Sequence, residues 1–189
     1  MRRYFWFILF LSVLLFYACL EQAYILIYYT MWTFLLETMY FGLTIAGVDT
    51  SHLYETIFAP TIVVFVGFWM VIAPTYWNSP KPNNAMFVCV THGFNAIAMV
   101  SERKGISPQS VWKPVLYTIV YNLFLVVYVG AGGRSISGKL PYWYARYDEW
   151  IGWAFFFIAV AAVTAVHMVA AIYVWPVQTR TKDAKQYIV

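Results

Sequence analysis

The segment WIGWAFFFIAVAAVTAVHMVAAIYVW, Trp150–Trp175, contains no Asp, Glu, Lys or Arg along its whole length. At about 1.5 Å per residue, a helix of this length reaches roughly 39 Å and exceeds a hydrocarbon core of about 30 Å. The whole chain is similar, since 62% of its 189 residues are hydrophobic, 21% are aromatic and only 11% are charged. A soluble domain has about a quarter of its residues charged, and this sequence has too few polar residues for a soluble surface. The sequence therefore predicts an all-α integral membrane protein.

Five further apolar segments are long enough to cross a bilayer, and polar or proline-containing turns such as Asp49–His52 and Asn78–Asn83 separate them. The six predicted spans are Tyr4–Leu20, Tyr24–Val48, Thr56–Ala73, Asn84–Ser101, Val111–Gly130 and Trp150–Trp175. The first span has the basic start and apolar stretch of a signal peptide, but we count it as a membrane helix. We expect one transmembrane domain over residues 1–189, folded as a polytopic six-helix bundle.

The basic residues orient this bundle. An even number of spans places both termini on one side, and that side holds eight basic residues: Arg2, Arg3, Arg103, Lys104, Lys113, Arg180, Lys182 and Lys185. The other side holds four: Lys81, Arg134, Lys139 and Arg146. Because inner loops carry the excess of Lys and Arg, we expect both termini on the inner side. The sequence pI near 9.0 reflects this flanking pattern, and we expect no nucleic-acid partner.

Two polar side chains fall at nearly the same depth in spans that run in the same direction. Thr30 lies about 9 Å into the second span and His92 about 12 Å into the fourth. An ionisable group within a span is costly and marks a functional site. A hydroxyl level with an imidazole is a candidate nucleophile and base. Thr91 and Asn95, on either side of His92, are candidate supporting residues.

Glu37 is a third candidate supporting residue, two turns deeper than Thr30 on the same helix face. A carboxylate at this depth costs several kcal/mol unless it is paired or protonated, and Asn95 is closer to its level than any basic residue. Gly93 is expected to allow close backbone approach. Structural interpretations stay open: a threonine in a membrane helix commonly bonds the carbonyl four residues earlier, His92 could link helices, and Glu37 could be a protonated interhelical bridge.

Cofactors are not expected. His92 and His167 could suggest haem, but they differ by about 13 Å in depth, and axial ligands of one haem must lie at one level. Cys19 and Cys89 are lone thiols without metal-ligand spacing, and we expect neither a metal site nor a disulfide. Glu37 and His92 could begin a proton relay, but no row of acidic residues continues it.

Short motifs carry a family resemblance. They are the segment TMWTFLLETMYFGL at 30–43, Pro60 with Phe68-Trp69 in the third span, the pair His92-Gly93, and Gly138 with Pro141 in the last long loop. Together they resemble the androgen-induced and androgen-dependent transmembrane protein family of six-pass proteins. The resemblance implies hydrolysis of fatty acid esters of hydroxy fatty acids. It also implies that Thr30 is the nucleophile and His92 its partner.

The leading hypothesis is an intramembrane threonine hydrolase that acts on lipid esters, with Asn95 or Thr91 orienting the imidazole or donating to the oxyanion. An aromatic cavity at this level would accept acyl chains from the bilayer. The alternative is a non-catalytic accessory or structural subunit of a large membrane complex, with other subunits as partners. The polar tail 180–189 favours this alternative, since such a tail frays unless a partner holds it. An endomembrane and the mitochondrial inner membrane both suit the sequence.

Overall fold

Six α-helices and no β-strand make up the residues that the computed structural model describes, which are 1–21, 26–74, 88–135, 138–142 and 144–174. The helices are α1 (Arg2–Glu21), α2 (Tyr29–Ile45), α3 (Ser51–Gly67), α4 (Asn95–Glu102), α5 (Trp112–Gly130) and α6 (Trp150–Val169). Short turns of other helix types adjoin four of them: π-helical turns Phe68–Ile72 after α3, Val90–Phe94 before α4 and Ala170–Val174 after α6, and a 3₁₀ turn Pro108–Val111 before α5. The predicted all-α fold is confirmed.

Three of these helices, with their adjoining turns, are long and apolar enough to cross a membrane. They cover Ser51–Val71, Pro108–Gly130 and Trp150–Val174. Large apolar side chains point outward along the last of them, where Phe157 is 65% and Ile158 59% exposed. A soluble protein rarely exposes contiguous apolar surface of this kind. The structure therefore indicates a membrane protein.

Helix α2 is shorter than the predicted span Tyr24–Val48, and its bounds have local causes. Tyr28 is extended, with φ −103° and ψ 130°. The Tyr29 N–H, at the first position of the helix, donates to the Tyr142 hydroxyl at 2.9 Å. At the other end the chain turns through Gly47 at φ +79°, a left-handed conformation that glycine adopts without strain. The α-helix therefore begins and ends inside the apolar run because local turns bound it, and the predicted start at Tyr24 lies outside the described residues.

The other predicted spans overlap the described helices. Helix α3 begins at Ser51, before the predicted Thr56, and the Asp49 carboxylate accepts the Ser51 N–H at 2.9 Å at this end. The predictions that fall on residues 22–25, 75–87 and 175–189 lie outside the described residues. These include the turn Asn78–Asn83, the start of the fourth span and the polar tail.

Helix α3 lies at the centre of the bundle, in contact with α2, α4, α5 and α6, while α1 packs against α2. Aromatic rings fill the α1–α2 interface: the Phe10 ring lies 4.6 Å from that of Phe34 and 5.7 Å from that of Phe41. A Cβ on Gly42 would lie 2.9 Å from the Phe7 ring. The absent side chain at position 42 thus allows α1 to approach α2 closely.

The start of α1 and the end of α4 meet through a buried carboxylate. Arg2 and Arg3 each bind the Glu102 side chain at 2.9 Å, and the Tyr40 hydroxyl donates to it at 3.0 Å. Burial alone would raise the pKa of Glu102, but the hydrogen bonds from Arg3 and Tyr40 and the charges of both arginines hold it below its ordinary value. This cluster fixes α1 to the loop that follows α4.

Candidate active site

Thr30 and His92 meet inside the bundle. The Thr30 Oγ1 lies 3.3 Å from the His92 Nε2, and both side chains are half-buried. Thr30 is the second residue of α2, and His92 lies in the π-helical turn before α4. The juxtaposition that depth counting predicted is therefore present in the structure.

The position of Thr30 at the start of α2 leaves its hydroxyl available. Seven other threonines donate to the carbonyl four residues earlier in their helix: Thr33, Thr38, Thr44, Thr56, Thr61, Thr118 and Thr164. The corresponding carbonyl for Thr30 belongs to Leu26, which precedes the helix and accepts the indole N–H of Trp32. The Thr30 hydroxyl instead faces the imidazole, so the self-bonding interpretation does not describe this threonine.

The partners of His92 determine which ring nitrogen faces Thr30 as an acceptor. Its Nδ1 lies 3.2 Å from the Val88 carbonyl oxygen and 2.9 Å from the Thr91 hydroxyl. A carbonyl oxygen only accepts, so Nδ1 carries the proton and donates. In the neutral ring Nε2 then has a free lone pair directed at Thr30. This is the tautomer that a general base requires.

In a second hydroxyl–imidazole pair, the imidazole nitrogen that faces the hydroxyl is a donor and not an acceptor. The Ser110 Oγ also lies 3.3 Å from an imidazole nitrogen, the Nε2 of fully buried His167. That nitrogen lies 2.9 Å from the Ser107 carbonyl oxygen and therefore donates to it. The Ser110 hydroxyl also donates to the Ser107 carbonyl, at 2.7 Å. The imidazole of this second pair is thus a donor that ties α6 to the loop before α5.

Two π-helical turns pack against each other and hold His92. The Phe68 ring stacks on the imidazole, with centroids 4.0 Å apart and planes at 29°. The Trp69 indole N–H donates to the His92 carbonyl oxygen at 2.9 Å. A Cβ on Gly93 would meet the Trp69 ring only at 3.9 Å, an ordinary contact. The expected close approach at Gly93 is therefore wrong, and an indole contacts the site instead. π-Helical turns often occur at functional sites.

Glu37 forms a separate polar cluster with Asn95 and Thr61. Its side chain is fully buried, its Oε1 lies 2.5 Å from the Thr61 hydroxyl and 3.5 Å from the Asn95 amide nitrogen, and its Oε2 has no partner within the described part of the chain. The Thr61 hydroxyl also contacts the Ile57 carbonyl at 2.8 Å. One hydroxyl proton cannot serve both acceptors, and a proton on Glu37 satisfies both contacts. The cluster links α2, α3 and α4 as an interhelical bridge.

The predicted supporting residues thus divide into two groups. Thr91 contacts His92 directly and can orient its ring. The only hydrogen bonds described for the Asn95 side chain are those to Glu37 and to the Ala96 N–H, so neither Asn95 nor Glu37 contacts the Thr30–His92 pair. The N-terminal end of α2 supplies another polar feature, because the positive end of a helix dipole lies beside Thr30 and favours negative charge there.

Among the described residues, cavities lie near opposite ends of the bundle. One of about 420 Å³ is lined by Met1, Arg2, Arg3, Tyr4, Thr44 and Ile45. The other, of about 570 Å³, lies among residues of α5, α6 and the loop between them. Thr30 and His92 line neither cavity. Near the pair in sequence, Leu26 before α2 is 48% exposed and Phe94 before α4 is 44% exposed.

The chain matches no protein-family model, no curated protein and no solved structure. The family resemblance of the short motifs therefore stays a prediction. Within the described ranges no group of three or more His, Cys, Asp or Glu side chains comes together, and Cys19 and Cys89 are free thiols.

Sequence reasoning missed the residues that hold the imidazole. Phe68 and Trp69 were read only as parts of a family motif, and their contacts with His92 come from the third span facing the fourth. The sequence did offer one signal for Trp69. An indole N–H inside an apolar span needs a hydrogen-bond acceptor when it is buried. The Ser110–His167 pair had no such signal, since Ser110 lies in a turn far from His167 in sequence.

Proposed function

We propose that this protein is a multi-pass membrane protein in which all six predicted spans cross the bilayer, with both termini on the inner side. The bundle contacts support this topology. The start of α1 meets the end of α4 through Arg2 and Glu102, and His167 near the end of α6 meets the start of α5. The segments carrying the predicted inner-side basic residues Arg2, Arg103 and Lys113 therefore lie at one end of the bundle.

We further propose that the protein is an intramembrane threonine hydrolase of fatty acyl esters. The observation that carries this proposal is the Thr30–His92 contact of 3.3 Å. The Val88 carbonyl beside Nδ1 leaves Nε2 as the acceptor. Four features act together: a hydroxyl without a backbone acceptor, an imidazole in the basic tautomer, a stacked ring that fixes the imidazole plane, and a helix start beside the nucleophile. This combination resembles the nucleophile–base arrangement of covalent hydrolases.

The reaction follows from these positions. The Thr30 oxygen attacks the ester carbonyl carbon while His92 Nε2 takes its proton. The negative charge that develops on the carbonyl oxygen lies near the positive end of α2, which stabilises it. The bond between the acyl carbon and the alcohol oxygen then breaks, and His92 returns the proton to the leaving alcohol. Water attacks the acyl-threonine by the same route and releases the carboxylic acid.

The acyl chains of the substrate would reach the pair laterally from the bilayer. Thr30 and His92 are only half-buried, and Leu26 and Phe94, which lie near them in sequence, have exposed apolar side chains. A lipid-soluble ester suits such a site because its acyl chains stay in the hydrocarbon while its carbonyl reaches the polar pair. Fatty acid esters of hydroxy fatty acids, which the motif resemblance implies, fit this description.

The test uses the full-length protein, purified in mild detergent and assayed with a fatty acid ester of a hydroxy fatty acid. Thr30→Ala and His92→Ala should each abolish hydrolysis and leave the thermal transition within a few degrees of the wild type. Thr33→Ala is the matched control, because Thr33 lies one turn along α2 and donates to the Tyr29 carbonyl. If Thr30→Ala still hydrolysed the ester, Thr30 would not be the nucleophile. Obligate co-purification with a large assembly and no activity would support the structural-subunit alternative.

A further inference from the structure

The cavity at the start of α1 has an unbalanced positive charge. Arg2 and Arg3 line it together with Thr44 and Ile45 of α2. Both guanidinium groups bind one carboxylate, that of Glu102, whose side chain is fully buried. One carboxylate neutralises only one of the two cations. The arginine side chains are 55% and 45% exposed, so their remaining N–H groups are open to a ligand.

The cavity at the other end of the bundle differs because its lining contains both basic and acidic residues. It is lined by Arg134 and Arg146 but also by Asp148 and Glu149, and Arg146 pairs with Glu149 at 3.4 Å. Its charges therefore balance. Among the described residues, no acidic side chain lines the cavity at the start of α1, so an anion there would meet positive charge without a competing carboxylate from that lining.

A third cation lies close to the cavity at the start of α1. The Lys104 ammonium donates to the Thr50 hydroxyl at 2.9 Å, and Thr50 in turn lies 2.8 Å from the hydroxyl of the lining residue Thr44. The same ammonium lies 4.8 Å from the centre of the Tyr40 ring. Asp49 and Glu102 are the acidic residues on the described elements next to Lys104. Around this cavity, the three cations Arg2, Arg3 and Lys104 therefore outnumber the two acids Asp49 and Glu102.

Apolar side chains beside the cavity identify the source of the anion. Tyr4 is 57%, Phe5 59% and Ile8 61% exposed along the first turns of α1. A ligand that placed a phosphate between the arginines would lay its hydrophobic part along these side chains. Arginine binds phosphate oxygens in a fork geometry, and basic residues at the inner end of membrane helices attract anionic lipids.

We infer that the cavity lined by Arg2, Arg3 and Thr44 binds the phosphate of an anionic membrane phospholipid. The Arg2 side chain, the more exposed of the two, is the principal contact, and Arg3 stays committed to Glu102. The site lies at the opposite end of α2 from Thr30, since Thr44 is near the C-terminus of that helix. The inference is therefore independent of the proposed hydrolysis.

The test is native mass spectrometry of the full-length protein with phosphatidylglycerol or phosphatidylcholine of identical acyl chains. The wild type should retain phosphatidylglycerol preferentially. Arg2→Gln should weaken this binding about fivefold, the effect of one basic residue near a membrane surface. Glu102→Gln should strengthen it by a similar factor, because both arginines are then released. An increase cannot result from simple loss of structure, so the two variants test the site in opposite directions.

The control is Arg146→Gln, which removes an arginine from the charge-balanced cavity and should leave retention unchanged. Equal retention of the two lipids by the wild type would overturn the inference, and so would equal losses in Arg2→Gln and Arg146→Gln. Displacement of the lipid by millimolar inorganic phosphate would also overturn it, because the site would then bind free phosphate.

Discussion

The hydrogen bond from Trp69 to the His92 carbonyl gives a sharp test of how the site is held. Trp69→Phe keeps an aromatic ring in the gap between the two π-helical turns but removes the indole N–H that donates at 2.9 Å, together with part of the ring volume. The His92 carbonyl then loses this donor. A lost partner of this kind costs about 1–3 kcal/mol. Because Trp69 is half-buried, we expect about 2 kcal/mol and a fall of about 4–8 °C in Tm.

The loss should be larger in catalysis than in stability. Without its donor the turn that carries His92 relaxes, and a shift of about 1 Å at a catalytic group lowers the rate by about 100-fold. Ester hydrolysis by Trp69→Phe should therefore fall by one to two orders of magnitude, as a lower kcat with little change in KM. Thermal unfolding in detergent and steady-state hydrolysis measure the two effects separately.

Trp153→Phe is the matched control for this experiment. The Trp153 indole N–H also donates to a backbone carbonyl, that of Tyr147 at 3.0 Å, but at an exposed position away from the pair. Water can replace that donor, so the expected cost is below about 0.5 kcal/mol. If Trp69→Phe and Trp153→Phe behaved alike in both assays, the indole would not position His92 and the reasoning would fail.

Three further changes have expected outcomes. The free energy of unfolding should fall in acid, because the pKa of Glu102 in the folded protein lies below its ordinary value of 4.5. The ion pairs of Glu102 contribute fully above pH 4.5 and are lost as the pH falls through the lower pKa of the folded state. Thermal unfolding from about pH 6 to pH 3 should therefore show a weaker acid dependence in Glu102→Gln. Gly42→Ala should lower Tm because the new Cβ would lie 2.9 Å from Phe7, whereas Gly93→Ala, with its nearest contact at 3.9 Å, should leave Tm within about 1 °C. Ser110→Ala should retain full ester hydrolysis, since the imidazole beside it already acts as a donor; a large loss would mean that the second pair takes part.

The helices were predictable from the sequence because apolar length and turn residues determine them. The fifth span, Val111–Gly130, agrees with α5 to one residue, since Pro108 and the glycines after Val129 mark its ends. The start of α2 was not predictable. The apolar run continues through Tyr28, and the hydroxyl that binds the first N–H of the helix belongs to Tyr142, far along the chain.

The candidate pair was predictable for a geometric reason. Parallel spans place residues at equal depth, and Thr30 and His92 were the polar groups that matched. The tautomer of His92 and the availability of the Thr30 hydroxyl were not predictable, because each depends on which hydrogen-bond partners the fold places beside the side chain. Counting residues gives depth along a helix but not which face of one helix meets another. The contacts of Trp69 therefore came only from the structure.

The contact between Tyr142 and the start of α2 has a consequence for biogenesis. The Tyr29 N–H is bound by a hydroxyl from the loop after α5, and the Ile27 carbonyl accepts the hydroxyl of Tyr121. During synthesis, the first turn of α2 cannot acquire these partners until the ribosome has produced more than two thirds of the chain. Insertion of the early helices and maturation of the Thr30 environment are thus separated in time. A nascent chain arrested before Tyr142 would contain every residue of α2 but would lack the hydroxyl that binds the first N–H of this helix.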